Sequence, residues 1–77
     1  MTEMEANSIA EAIRGAALKA VHVEAVEQDP KTSKFQVKCR YHGPTFKHRE
    51  QLILNGMHLW IKRPYDWATL YKLLKKV

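Results

Sequence analysis

The residues best equipped for chemistry gather in one stretch. Lys34, Lys38 and Arg40 alternate with Phe35, Val37, Cys39 and Tyr41. In an extended chain successive side chains point to opposite sides. The cations, with Gln36 and His42, therefore form a polar row, and the other set forms an apolar one. Side chains two apart on such a row lie roughly 6.6 Å from each other, near the spacing of phosphates along a nucleic-acid strand. Trp60 and Lys62 stand on the polar side of a second alternating run, Met57 to Lys62. There an indole would stack on a base and an ammonium would meet a further phosphate. Lys34, Lys38, Arg40, Trp60 and Lys62 are the expected nucleic-acid-binding residues. The same pattern also suits a solvated sheet face, on which lysines keep the sheet from pairing with other chains.

Four histidines and a single cysteine raise two other chemistries. Cys39-x-x-His42 has the spacing of half a zinc site, and His48 follows it. On one continuous strand, however, residues three apart face opposite sides, which sends Cys39 inward and His42 outward. No second cysteine is present, and neither a metal site nor a cofactor is expected. His42 and His48 also have the makings of an acid–base pair, as in a metal-independent ribonuclease. They are assigned to polar surface instead, and no catalytic residue is expected.

Composition bounds the rest. A chain of 77 residues makes one domain. It buries only about 60% of the surface that its unfolded form exposes. A deep pocket is hard to wall at this size, whereas a flat binding surface is not. With one cysteine the chain forms no internal disulfide, which points to a reducing, cytoplasmic setting. Met1-Thr2-Glu3-Met4-Glu5 carries acids where a signal peptide carries cations, and no apolar run is long enough for a membrane span. The net charge of +5 is unevenly spread: residues 1–30 carry −4 and residues 31–77 carry +9, together with all seven aromatic residues. Cations and flat apolar rings in one region suit a polyanion with stacking faces.

The elements that must position these groups follow from periodicity. Residues 1–7 are expected to be a disordered tail, and residues 8–77 a single α+β domain. Ser8-Ile9-Ala10-Glu11 fits a capping box, and Ile9, Ile13, Ala16, Ala17 and Ala20 then share a helical face. Val21 to Ala25 alternates as a strand, and Asp29 to Ser33 is a turn. Phe35 to Tyr41 is the clearest strand, closed by His42-Gly43-Pro44-Thr45. Residues 46–54 fit a short helix capped by Thr45, the slightly favoured choice. They also fit a strand entering a hairpin at Asn55-Gly56. Met57 to Lys62 is a further strand. Pro64 suits the first turn of a last helix whose apolar stripe is Trp67, Leu70, Leu74 and Val77. The expected fold is α+β: a small antiparallel sheet of three to four strands with an N-terminal and a C-terminal helix packed on one face.

This order of elements resembles that of double-stranded-RNA-binding domains and of HicA-type toxin ribonucleases. His42-Gly43-Pro44-Thr45-Phe46-Lys47-His48 is the only local echo of the toxins, and it lacks their Gly-Ser-His pattern. Tyr65-Asp66-Trp67 stands where the RNA-binding domains place a lysine cluster. The sequence is assigned to neither family. The expected function is a non-catalytic, basic binding module with nucleic acid as first partner. The alternative is a protein partner or homodimer held through Tyr65, Trp67 and Tyr71, as in a phage- or plasmid-borne inhibitor of a host defence or nucleic-acid-processing complex.

Overall fold

The computed structural model describes residues 1–43 and 52–75. Helix α1 (Glu3–Ala16) is followed by strands β1 (Val21–Gln28), β2 (Phe35–Tyr41), β3 (Leu52–Asn55) and β4 (His58–Ile61), and then by helix α2 (Trp67–Lys75). The strands form one sheet in the order β1-β2-β4-β3, with every neighbouring pair antiparallel. Ala6, Ile9, Ala10 and Ile13 of α1 and Leu70 and Leu74 of α2 join Val21, Val37, Cys39, Leu52, Leu59 and Ile61 in a single core. Both helices therefore cover the same side of the sheet, the α+β arrangement that the periodicity implies.

The start of α1 differs from expectation. The helix begins at Glu3, because Thr2-Glu3-Met4-Glu5 is itself a capping box. Thr2 Oγ1 accepts from the Glu5 N–H at 3.2 Å, and Glu5 accepts from the Thr2 N–H at 2.8 Å. These bonds also hold the Glu5 carboxyl below its ordinary pKa. The segment expected to be a tail is thus mostly helix. Ala6, fully buried, extends the stripe of Ile9, Ala10 and Ile13 by one turn. Met1 is tied to the sheet as well, its carbonyl accepting from Phe35 N–H at 2.8 Å. At the other end Ala17 adopts the left-handed conformation (φ 50) that closes the helix, so it does not continue the apolar face.

In β2 the expected alternation holds except at Gln36, which belongs to the polar row yet is buried, its amide donating to Glu27 Oε1. Val37, Cys39 and Tyr41 are buried and Arg40 is exposed, while Phe35 is only half-buried. β1 continues past Ala25 to Gln28, and its register against β2 slips between Val23 and Ala25. Glu24 is the extra residue of this bulge. It turns Ala25 onto the side that α1 and α2 leave uncovered, opposite Lys38, rather than into the core, and puts Glu27 there too.

Residues 44–51, and with them Thr45, Phe46 and His48, lie outside the described residues, as does Val77. Beyond them, Leu52 to Asn55 is strand. Asn55 faces His58, so the two-residue turn is Gly56-Met57. Gly56 has φ +63, and no other positive φ occurs in this hairpin. That matches a II′ turn, which needs glycine at its first central position. α2 starts at Trp67 rather than around Pro64: Asp66 caps it, accepting from the Thr69 N–H at 3.4 Å.

Candidate nucleic-acid interface

The face that neither helix covers is built from cross-strand neighbours. One row runs His22, Arg40, His58, Asn55 across β1, β2, β4 and β3. The next runs Ala25, Lys38, Trp60, Ile53. Glu27 and Gln36 form a third pair. Opposed side chains in such rows sit about 4.5–5.5 Å apart and interact directly.

Trp60 is at the centre and half-buried. Its indole N–H donates to Glu27 Oε1 at 3.0 Å, and the same oxygen accepts from Gln36 Nε2 at 2.9 Å. Lys38 Nζ lies 5.8 Å from the centre of the indole ring, within cation–π range, and the His58 ring lies 5.8 Å away on the same strand. His58 Nε2 is 3.1 Å from Glu24 Oε1, and His22 Nε2 is 3.1 Å from the Lys19 carbonyl. The His22 and His42 rings meet edge-on at 6.1 Å. Ile53, 43% exposed, adds an apolar patch beside Trp60.

Three of the five residues expected to hold nucleic acid therefore converge: Lys38, Arg40 and Trp60. The other two lie at the end of the sheet. Lys34 precedes β2 in the turn after β1, and Lys62 follows β4, its ammonium 3.9 Å from Asp29. With Arg63 and Phe35 they border an open cavity of about 600 Å³, which Glu3 and Glu5 also line. The cationic row is thus not unbroken: Glu24 and Glu27 stand among the bases. Sequence reasoning missed both carboxylates. Three residues apart, they would occupy opposite faces of a regular strand, and only the bulge unites them.

Tyr65, Trp67 and Tyr71, the expected anchors for a protein partner, lie on the helix side. All three are half-buried; Tyr65 and Trp67 pack against the core, and Trp67 and Tyr71 pair at 5.6 Å. The Tyr65 hydroxyl is buried without a hydrogen-bond partner among the described residues, and burial raises its pKa. Cys39 and His42 do not converge. Cys39 is fully buried, its thiol pushed up to about 12 by desolvation, and His42 is exposed. Among the described residues no three His, Cys, Asp or Glu side chains gather as a metal site, and no helix is long and apolar enough to cross a membrane. Comparison with known proteins adds no identity: no family model, no curated protein and no solved structure matches this chain.

Proposed function

We propose that this protein is a non-catalytic binding module that holds single-stranded nucleic acid on the helix-free face of its sheet. The observation that carries this reading is the meeting of Trp60, Lys38 and Arg40 in adjacent cross-strand positions. A flat sheet offering an aromatic ring beside cations suits unpaired bases, whose faces are free to stack. The Lys38 ammonium over the ring is displaced by an incoming base and becomes available to its phosphate. Lys34, Lys62 and Arg63 extend the positive charge beyond the end of the strands.

The test uses Trp67→Phe protein, in which Trp60 is the sole tryptophan, titrated with a thymidine oligonucleotide at about 50 and about 200 mM salt. Saturable quenching that weakens with salt is expected. Trp60→Ala, followed by anisotropy of a labelled oligonucleotide, should cost about 1–3 kcal/mol of binding. The double variant Lys38→Glu/Arg40→Glu should abolish it. Absence of any binding at the lower salt overturns the reading.

A second reading, docking of a protein on the same face, draws on Ile53 and Met57, 43% and 48% exposed in the β3–β4 hairpin. It is favoured if oligonucleotides fail to bind while light scattering shows a stable dimer that Ile53→Lys dissolves.

A further inference from the structure

We infer that two copies of this chain join along the outer edge of β1, antiparallel and across a two-fold axis between Glu24 and Ala25. Such pairing needs no ligand. Among the described residues β1 and β3 are the terminal strands of the sheet, and they are unequal. β3 has four residues, whereas β1 has eight, with neither lysine nor proline among them. Shortness, lysine and proline are the usual guards of a sheet edge, and β1 keeps only its bulge.

That bulge decides what fits there. In an antiparallel ladder the backbone groups of successive residues point alternately to one side and the other. The His42 N–H donates to the Ala20 carbonyl and the Asp29 N–H to the Lys34 carbonyl, both at 2.8 Å, which sets the phase at the two ends of β1. Followed inward along the register, Ala20, His22, Ala25, Glu27 and Asp29 turn their backbone groups to β2. Val21, Val23, Val26 and Gln28 turn theirs outward, where no strand among the described residues pairs with them. The long step from Val23 to Val26 sits between two ordinary ones, so the spacing is the same from either end. A regular strand falls out of phase after Val23. A second β1 carries the same long step and stays in phase. Val21 then exchanges hydrogen bonds with Gln28 of the second copy, Val23 does so with its Val26, and the two-fold repeats both pairs.

The side chains agree with this pairing. On the side of α1, Val23 meets Val26 of the second copy, and both valines are only half-buried in the single chain. An open depression of about 500 Å³ lies there, bordered by Ile13, Leu18, Val21 and Val23 and by no residue of β2, hence on the outer flank of β1. It leaves room for Val26 and Gln28 of the second copy. On the opposite face His22 meets Glu27 of the second copy, so no like charges stand directly opposed. Glu24, the charge nearest the axis, is turned away from the edge toward His58, at 3.1 Å. The axis is perpendicular to the sheet, so α1 and α2 of both copies share one side and the uncovered faces merge on the other. The two Trp60 residues then lie five strand spacings apart, about 24 Å. On the nucleic-acid reading, one oligonucleotide reaches both.

The experiment is sedimentation equilibrium of the full chain without nucleic acid, paired with amide exchange followed by NMR. The mass should rise from monomer toward dimer between about 10 μM and about 1 mM, since an edge contact is small. In the concentrated sample the amides of Val21, Val23, Val26 and Gln28 should exchange at least about tenfold more slowly than in the dilute one, while those of His22 and Glu27, bonded to β2, are slow in both. His22→Glu sets carboxylates face to face at both ends of the ladder and should raise the dissociation constant at least about tenfold. His22→Lys should lower it, and Ile53→Lys, at the other edge of the sheet, should leave it unchanged. Circular dichroism reports that each variant keeps the fold. A chain that stays monomeric to about 1 mM overturns the inference. A dimer whose outward amides exchange as fast as the monomer's overturns the assignment to β1, and a dissociation constant that neither His22 substitution moves overturns the register. Dimerisation without affinity for oligonucleotide leaves the interface standing and overturns only the nucleic-acid reading.

Discussion

Strand β2 shows two ways of holding a side chain in place within seven residues. On the helix side, Val37 and Cys39 meet Ile61 and Leu59 across the strand, and all four are fully excluded from solvent. On the other side, Lys38 and Arg40 meet Trp60 and His58, and each keeps some contact with water. Packing fixes the first face, and nothing outside the molecule can replace it. Hydrogen bonds and charges fix the second: Trp60 to Glu27, His58 to Glu24, Lys38 over the indole. A ligand can take over such contacts at small net cost, since it offers equivalent partners. Stability should therefore reside in one face and binding in the other.

The largest expected effect tests the packed face. Leu59→Ala should destabilise the fold by about 2–5 kcal/mol, measured by urea unfolding, because the side chain is fully buried and its loss leaves a cavity in the core. A cost below about 1 kcal/mol would erase the contrast between the faces. Alkaline pH attacks the same region by another route. Burial raises the thiol of Cys39 from 9.0 to about 12, and raises the hydroxyls of Tyr41 and Tyr65 above their ordinary 10.0. The folded state holds these protons where the unfolded chain releases them. Stability from Cys39 is thus complete below about pH 9 and lost as the pH climbs toward 12. The loss should reach a few kcal/mol, and Cys39→Ala should flatten that part of the profile. In native protein a thiol reagent at pH 8 should modify Cys39 only as fast as the chain opens.

A smaller effect concerns the turn that keeps the two faces apart. The β3–β4 hairpin places Leu59 and Ile61 inside and Trp60 outside, and a slip of one residue would exchange them. Gly56 sets the register through its φ of +63, and the space around its missing Cβ is empty. Gly56→Ala should therefore cost about 1–2 kcal/mol from backbone strain alone. Trp60 fluorescence should be unchanged in the folded protein; a red shift would show that the register, rather than strain alone, had given way.

Much of this contrast is legible in the residues themselves. The period-two pattern of Phe35 to Tyr41 separates Cys39 from Arg40 without ambiguity, because apolar and polar residues alternate with no interruption. Lys38 and Arg40 follow from it, and Trp60 from the alternation of Met57 to Lys62. The start of α1 does not, since Thr2-x-x-Glu5 and Ser8-x-x-Glu11 satisfy the same capping pattern, and only the burial of Ala6 favours the earlier one. Asn55-Gly56 serves equally as a helix stop or a hairpin, and its partner strand decides. The bulge at Glu24 leaves no mark in composition at all. It is a property of the pairing with β2, and so the carboxylates that orient Trp60 and His58 are visible only once the strands are paired.

The smallest expected effect is the one that separates the faces most cleanly. Glu24 and His58 are 3.1 Å apart, but their side chains are 38% and 40% exposed. Water screens a pair so placed, and exposed pairs contribute about 0–1 kcal/mol. Glu24→Gln keeps the shape and an acceptor for His58 while removing the charge. Its unfolding free energy at pH 8 should differ from wild type by less than about 0.5 kcal/mol. If the open face serves binding, the same substitution removes a repulsive charge from the path of a phosphate and tightens oligonucleotide binding at that pH. A substitution in the packed face can only lose stability, whereas this one should gain affinity at almost no cost to the fold. A large loss of stability in Glu24→Gln would mean that the bulge and its ion pair belong to the framework, and that the working surface is narrower than the row from His22 to His58.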